Sequence, residues 1–283
     1  MNKFIYKILS ILPDSIYLKL QYRYNTGNKL NLKEPTRYNE KLQWLKIYDH
    51  NPHYTDLVDK YLVKKIVSKK IGRNYIIPTI GVWETPKQIN INSLPNQFVL
   101  KCNHDSKSVY VIKDKNKVDF EKILYSLGES LKTNHYYYGR EWPYKNVKPL
   151  IFAEEYKEDD SGGLNDYKVM CFNGKPMFVQ LHQGRFTDNY TQDFFDTNWN
   201  HQSFNQIGEV SSKSLPSKPV FLEEMLKLSE ILSASIPHVR IDWYYADNQL
   251  YFGEYTFFDA SGYFDYVPDE YNYILGDYID LPR

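Results

Sequence analysis

Residues 239–257, VRIDWYYADNQLYFGEYTF, carry the side chains best suited to chemistry. Two acids, Asp242 and Glu254, flank a polar turn, and Thr256 follows Glu254 by two positions. Residues two apart on a strand share a face, so Glu254 and Thr256 project together. If the turn runs through Asp247-Asn248-Gln249, Ala246 pairs with Leu250 and Asp242 falls opposite Glu254, with Cβ atoms about 4.5–5.5 Å apart. Three oxygen donors so placed suit a hard cation such as Mg2+, shared with substrate phosphates. A two-residue turn through Asp247-Asn248 would send the acids to opposite faces unless a bulge restores the register. The same spacing also fits two solvent-facing acids on an edge hairpin. Where the acids do stand opposed, their like charges repel. Neutralising either one is then expected to leave the fold intact, or slightly more stable without metal.

A second candidate is FVLKCNHDSKSVYVI, residues 98–112. Lys101 ends an apolar run, and the short polar residues Asn103, Asp105, Ser106 and Ser108 precede the next one. Backbone N–H groups in such a turn can form an anion-binding hollow, with the lysine as a point charge. The glycines of a Walker loop are absent and no helix follows directly, so on its own the pattern fits an ordinary hairpin turn better. His104 could serve as a general base, but a lone histidine in a turn is more often a hydrogen-bonded surface group. Glu154 and Glu155 end the strand LIFAEEY, and neighbours on a strand face opposite ways, which makes them a poor acid/base pair. No Ser/His/Asp or Cys/His arrangement stands out.

The elements that must position these residues are legible in outline. Residues 1 to about 70 read as mostly helical, with Asn39 a candidate cap and a second helix over residues 54–69. From Tyr75 the chain turns to short β-rich segments, then to a helix over residues 118–132 whose apolar positions recur at helical spacing. DYKVMCF, the turn Asn173-Gly174 and PMFVQL signal a hairpin. Residues 182–216 read as a polar loop, and a helix is expected to start near Pro219. Strands grouped with helices in this order predict an α+β fold with helices on mostly antiparallel sheets.

Composition excludes some classes. The 283 residues carry 35 basic and 35 acidic side chains, a balance that argues against a general nucleic-acid binder. Two cysteines, Cys102 and Cys171, lack disulfide or zinc spacing and read as small buried hydrophobes in a reduced, cytosolic setting. No apolar run reaches the roughly 18 residues of a membrane-spanning helix. The first twenty residues are interrupted by Lys7, Asp14 and Lys19 and lack a cleavage site. Lys3, Lys7 and Lys19 among apolar neighbours also suit a peripheral membrane contact, with packing on the protein's own helices the simpler reading. The 27 tyrosines suit ring-binding clefts or simply fill strands.

NEKLQWLK, DLVDKYLVKK, LKCNHDS, DYKVMCFNGKP, FFDTNW and RIDWYYADNQLYFGEYTF occur in that order along the chain. Together they resemble the ATP-grasp superfamily, and more closely its teichuronopeptide-biosynthesis (TupA-like) branch, from about residue 30 onward. The resemblance implies a helical segment over residues 1–55, a small lobe over 56–152 and a large lobe over 153–283. It implies that Lys60 and Lys101 grip the nucleotide phosphates and that residues 103–108 form the loop closing over them. Residues 153–156 would be the hinge, with Glu154 or Glu155 meeting the ribose and Tyr156 beside it. Lys168 and Arg240 would be further phosphate contacts, and Asp242, Glu254 and Thr256 the Mg2+ ligands. Lys107 stands where close relatives tend to have glycine, and Thr256 where an asparagine is usual.

The activity so implied is an ATP- and Mg2+-dependent ligase that activates a sugar acid or amino acid as an acyl phosphate for amide formation, in cell-surface polysaccharide biosynthesis at the inner face of the membrane. Arg185, in HQGRFTDNY, is the candidate clamp for the acceptor or carboxylate, and a solvated loop arginine fits its position as well. Two rivals share the same residues: a nucleotide-sugar-dependent glycosyltransferase, and a catalytically degenerate nucleotide-binding protein.

Overall fold

A computed structural model describes residues 11–159, 163–185 and 187–282, so Lys3 and Lys7 of the membrane-contact reading lie outside the described residues. Two antiparallel sheets organise the chain. The first has the strand order β1 (Thr79–Trp83), β4 (Ile151–Glu155), β2 (Phe98–Cys102), β3 (Val109–Ile112). The second runs β10 (Gln249–Thr256), β9 (His238–Ala246), β5 (Asp166–Phe172), β6 (Lys175–Gln183), β7 (Thr191–Asp196). A two-stranded ribbon pairs β8 (Asn205–Gln206) with β11 (Tyr266–Val267). With its helices this is the α+β architecture expected.

Each large sheet has one apolar face. On the first sheet, Phe98, Leu100, Cys102, Ile112, Ile151 and Ala153 are buried with Leu127 of α5 (Phe120–Ser130). The Asp119 side chain caps α5 by accepting from the Lys122 N–H. On the second sheet, Val169, Val179, Ile241 and Trp243 pack with Met225, Leu228 and Leu232 of α7 (Leu222–Ser233). Each such side chain contributes about 1.5–3 kcal/mol when fully buried. The Trp243 indole donates to Ser229 Oγ at 2.8 Å, so its one polar atom is satisfied. Both cysteines are buried, and burial pushes each thiol up to about 12.

Among the described residues, four α-helices precede the first sheet: α1 (Asp14–Thr26), α2 (Tyr38–Tyr48), α3 (His53–Val58) and α4 (Leu62–Ile71). The single helix expected over residues 54–69 is broken. Asp59 accepts from the Tyr61 and Leu62 N–H groups at 2.9 and 3.0 Å and so starts a new helix. Asn39 does not cap α2, which begins at Tyr38; Glu40 accepts from the Thr36 and Arg37 N–H groups instead. The polar stretch 182–216 contains β7, which the sequence reading missed. Gln192 to Phe195 are buried on both faces of this strand, so no apolar/polar alternation marks it. Between β3 and the strands of the second sheet lies α6 (Tyr136–Gly139), and α8 (Glu270–Asp277) closes the chain.

Candidate active site

Strand pairing places the central acids. Asp242 on β9 stands opposite Glu254 on β10 and opposite Lys168 on β5. The hairpin reaches this register differently from the three-residue turn expected. Ala246 pairs with Gln249, leaving Asp247-Asn248 as a two-residue turn, and the register slips between Phe252 and Glu254. Asp247 and Asn248 have φ of 53° and 57°, the left-handed pair of a type I′ turn. Gly253 is the bulge residue. A Cβ there would lie 3.0 Å from the Asp242 carbonyl oxygen and 3.0 Å from the Tyr244 ring, so a side chain would crowd the facing strand and require it to shift.

Basic groups surround the acids. Lys168 Nζ donates to Asp242 Oδ2 at 2.5 Å. Arg240 donates from Nε to Oδ1 at 2.7 Å and from Nη2 to Oδ2 at 2.9 Å of the same carboxylate. Arg240 also reaches Asp259, and Thr256 Oγ1 at 3.3 Å. Lys60 pairs with Glu254. Burial alone would raise the pKa of Asp242, but Arg240 and Lys168 outweigh it and hold the carboxyl well below the usual range. Glu254 follows the same logic, burial pushing up and Lys60 pulling down to a net lowering.

The first sheet supplies a second ion cluster. Glu154 is buried, and its two oxygens take Lys101 and, at 2.6 Å, Lys64 of α4. Both lysines stand over the Phe152 ring, 5.4 and 5.3 Å from its centroid. Burial pushes Glu154 up, and the two lysines more than reverse this. Glu155 points the other way and is exposed, 3.4 Å from Lys157. The Tyr156 hydroxyl donates to Glu158 at 2.6 Å.

The break after Asp59 joins the two clusters. The Lys60 N–H donates to the Asn103 carbonyl at 3.0 Å, while the Asn103 amide donates to Asp59 Oδ2 at 2.8 Å. The loop after Lys101 is thereby tied to the lysine that meets Glu254. Within that loop Asp105 accepts from the Lys107 and Ser108 N–H groups at 3.2 and 2.9 Å, which leaves fewer backbone donors for an anion. Ser108 is buried and Ser106 exposed. His104 is also buried, its ring 3.1 Å from the Ser130 carbonyl, which corrects the surface reading. Arg185 is half-exposed and donates to the buried Asp166 at 2.7 Å.

The fold thus brings Lys60, Lys168, Arg240, Asp242, Glu254 and Thr256 into one cluster, and Lys101 with Glu154 into another. Glu155 and Ser106 stand outside both. Sequence reading missed Lys64, Asp166 and Asp259. Lys64 carried a signal, since it lies one helical turn beyond Lys60. Asp259 carried none, because a loop held from far away positions it. Gln43 of α2 donates to the Ser261 and Gly262 carbonyls at 3.0 and 2.8 Å, and Lys46 donates to Ser261 and Gly139 at 2.8 and 2.7 Å. Burial pushes the Lys46 amine down to about 7. NEKLQWLK is therefore the peg that holds the loop carrying Asp259.

The donor set fits a hard cation in part. Asp242 and Glu254 share a face, and Thr256 Oγ1 lies beside Arg240 on that face. Among the described residues no three His, Cys, Asp or Glu side chains converge to hold a metal by themselves. Thr256 or substrate oxygens would have to complete the shell, as Mg2+ sites in phosphate chemistry commonly require. Two open hollows lie elsewhere: one of about 250 Å3 beside Tyr75, Phe221 and Tyr245, and one of about 460 Å3 beside Trp83 and Lys148.

The model of the TupA-like ATPgrasp family matches residues 40–280. No curated protein matches the chain. Among solved structures it is similar to a D-alanine–D-alanine ligase from Bacillus anthracis complexed with ATP, at 16% identity and TM-score 0.41, over 71% of this chain and 53% of that one. The D-alanine–D-alanine ligase from Helicobacter pylori is 15% identical with TM-score 0.43, over 86% and 69%. D-alanyl-alanine synthetase A from Vibrio cholerae is 11% identical with TM-score 0.42, over 72% and 56%. The chain spans about half the length of the first of these, at 53%.

Proposed function

The chain belongs to the TupA-like ATP-grasp family, and on that premise we propose that it is an ATP- and Mg2+-dependent carboxylate–amine ligase of cell-surface polysaccharide biosynthesis. The observation that carries the reading is the row Glu254, Asp242, Lys168 across three strands, with Arg240 and Lys60 closing on its acids. Phosphoryl transfer to a carboxylate brings two anions together, so a catalyst must offset both charges. In this reading Lys60, Lys101, Lys168 and Arg240 meet phosphate oxygens, and Asn103, Ser106 and Ser108 belong to the loop over them. Asp242, Glu254 and Thr256 hold Mg2+, which when bound would add further positive charge at the phosphates. Residues 56–152 and 153–283 would be the two lobes, after a helical segment over 1–55.

Glu155 is the freer partner for a ribose, since Lys64 and Lys101 already take both oxygens of Glu154. The substrate carboxylate attacks the γ-phosphorus of ATP, giving an acyl phosphate and ADP. An amine then attacks the carbonyl carbon, phosphate leaves, and the nitrogen loses a proton. Arg185 would steer the carboxylate, giving up part of its contact with Asp166.

ATP with Mg2+ is expected to raise the melting temperature by about 5 °C at a hundred times Kd, from mass action on the native state. No shift with roughly millimolar ATP, beside a clear shift with a nucleotide-sugar, would point to a glycosyltransferase and sink the ligase reading.

The reading also places the enzyme at the membrane's inner face. Among the described residues no helix is long and apolar enough to cross a membrane. Ile16, Leu20 and Tyr24 stand a turn apart on α1, all exposed and close to Lys19, a pattern suited to shallow insertion into an anionic surface. Co-sedimentation with anionic liposomes is expected, and is expected to drop when Leu20 and Tyr24 are both changed to Glu. Unchanged binding in that double variant removes the membrane contact.

A further inference from the structure

The polar face of the second sheet does not end at Lys168. One strand over, Gln180 stands opposite Lys168 and His182 opposite Asp166. On β7, Gln192 stands opposite His182. Residues directly opposed in an antiparallel pair share a face, so these side chains continue the row that begins at Glu254 and Asp242.

Their chemistry changes across that step. The β9–β10 half carries Arg240 and two acids, with Lys60 against Glu254, whereas the β6–β7 half sets carboxamide, imidazole and phenol beside Phe194, which stands opposite Gln180. The Gln192 amide donates to Gln206 Oε1 at 3.2 Å and that of Gln180 does so at 3.4 Å, while Gln206 donates to Asp259 at 2.8 Å. The Tyr190 hydroxyl lies 2.7 Å from His182 Nδ1. Gln180 and Gln192 are each 1% exposed and form a floor, and His182 and Tyr190 form a partly buried rim. Burial, with Lys168 and Arg240 nearby, pushes His182 down to about 2, so its ring is neutral.

Two buried atoms of this group, Gln180 Oε1 and His182 Nε2, have no hydrogen-bond partner within the protein. Buried polar atoms are normally satisfied, so both mark places where another molecule's polar atoms belong. Neutral side chains that can both donate and accept match hydroxyl groups, which do the same. An anion would instead need cations, and Arg185, the guanidinium beside this half of the face, already contacts Asp166.

We infer that Gln180, His182, Tyr190 and Gln192 recognise the hydroxyl groups of a saccharide whose carboxylate lies one strand over, toward Lys168 and the phosphate it meets. Adjacent strands are about 4.8 Å apart, roughly the width of one pyranose ring. The inference rests on the ligase reading and deepens it, making the activated substrate a sugar acid rather than an amino acid.

Saturation-transfer NMR on the full chain with D-glucuronic acid, D-galacturonic acid, D-alanine and L-glutamate tests it. Transfer to the ring protons of at least one uronic acid is expected, with affinity reduced about tenfold in Gln192→Leu. Tyr190→Phe, which removes one hydroxyl at a partly buried position, is expected to weaken binding about threefold and guards against misfolding of the first variant. Binding of the amino acids alone, no binding of either uronic acid, or uronic acid binding undiminished in both variants overturns the inference. An ATP-induced melting shift without sugar binding removes this site and leaves the ligase reading. Sugar binding without an ATP effect removes the ligase reading and leaves the site.

Discussion

Glu254→Gln is expected to lower ATP turnover by at least about a hundredfold, the scale of losing one charge-stabilising group in an active site, while the protein still folds. Asp242→Asn is expected to lose activity to the same extent and to lose stability as well. The two acids stand opposite each other, but their surroundings differ. Asp242 is 1% exposed and serves two cations, Lys168 and Arg240. Removing its charge leaves both of them buried and only partly offset by Asp166 and Asp259. Breaking such a pair from one side costs about 3–5 kcal/mol.

Glu254 is less demanding, with a 30% exposed side chain and Lys60 as its ion-pair partner. Its neutralisation should cost about 1.5–3 kcal/mol, the range of a hydrogen bond to a charged group. The sequence-based expectation that either change is neutral or stabilising therefore fails for Asp242, because the repulsion it relieves is smaller than the attraction it removes. Urea denaturation of both variants beside an ATPase assay separates the effects. Full activity in Glu254→Gln would remove the metal assignment, and a stability loss equal in the two variants would remove the argument from burial.

Lys101→Ala is expected to weaken ATP binding about tenfold to a hundredfold, the worth of one or two hydrogen bonds to a charged group. Lys113→Ala is expected to change it by less than about twofold, as for an exposed ion pair. Lys101 projects from β2 on the face covered by Lys64, with its side chain 16% exposed. Lys113 lies beyond the end of β3, 55% exposed and 3.4 Å from Glu158. The Lys101 variant should fold, since Lys64 still holds Glu154 at 2.6 Å. Isothermal titration with ATP and Mg2+ measures both constants, and equal effects would make the loop after Lys101 an ordinary turn.

Elements whose residues face water on one side, or carry their own turn chemistry, were legible in the sequence. The hairpin at Asn173-Gly174 forms as expected, with φ of 50° and 78° at its two turn residues. The α5 helix follows its apolar spacing to within about two residues at either end. Features set by distant contacts were not legible. The break at Asp59 combines a local cap, Asp59 accepting from Tyr61 and Leu62, with a distant bond from the Lys60 N–H to Asn103, and no local signal announces the second. The β7 strand with Gln192 reads as a polar loop because this sheet buries polar groups on the face that would bear the chemistry. Asp259 is held by α2, more than two hundred residues earlier, so no window of sequence contains both.

The hairpin between Asp242 and Glu254 obeys a rule of parity. A two-residue turn and a one-residue bulge at Gly253 together insert an odd number of residues between the paired strands, and oddness is what keeps both carboxylates on one face. A three-residue turn with no bulge has the same parity. Lengthening the turn by one residue while straightening the bulge would thus preserve the constellation, whereas either change alone would invert every side chain on one side of the slip. Relatives with a longer turn should then lack the glycine. Turn length and bulge are two places to write the same bit, and only their sum is constrained.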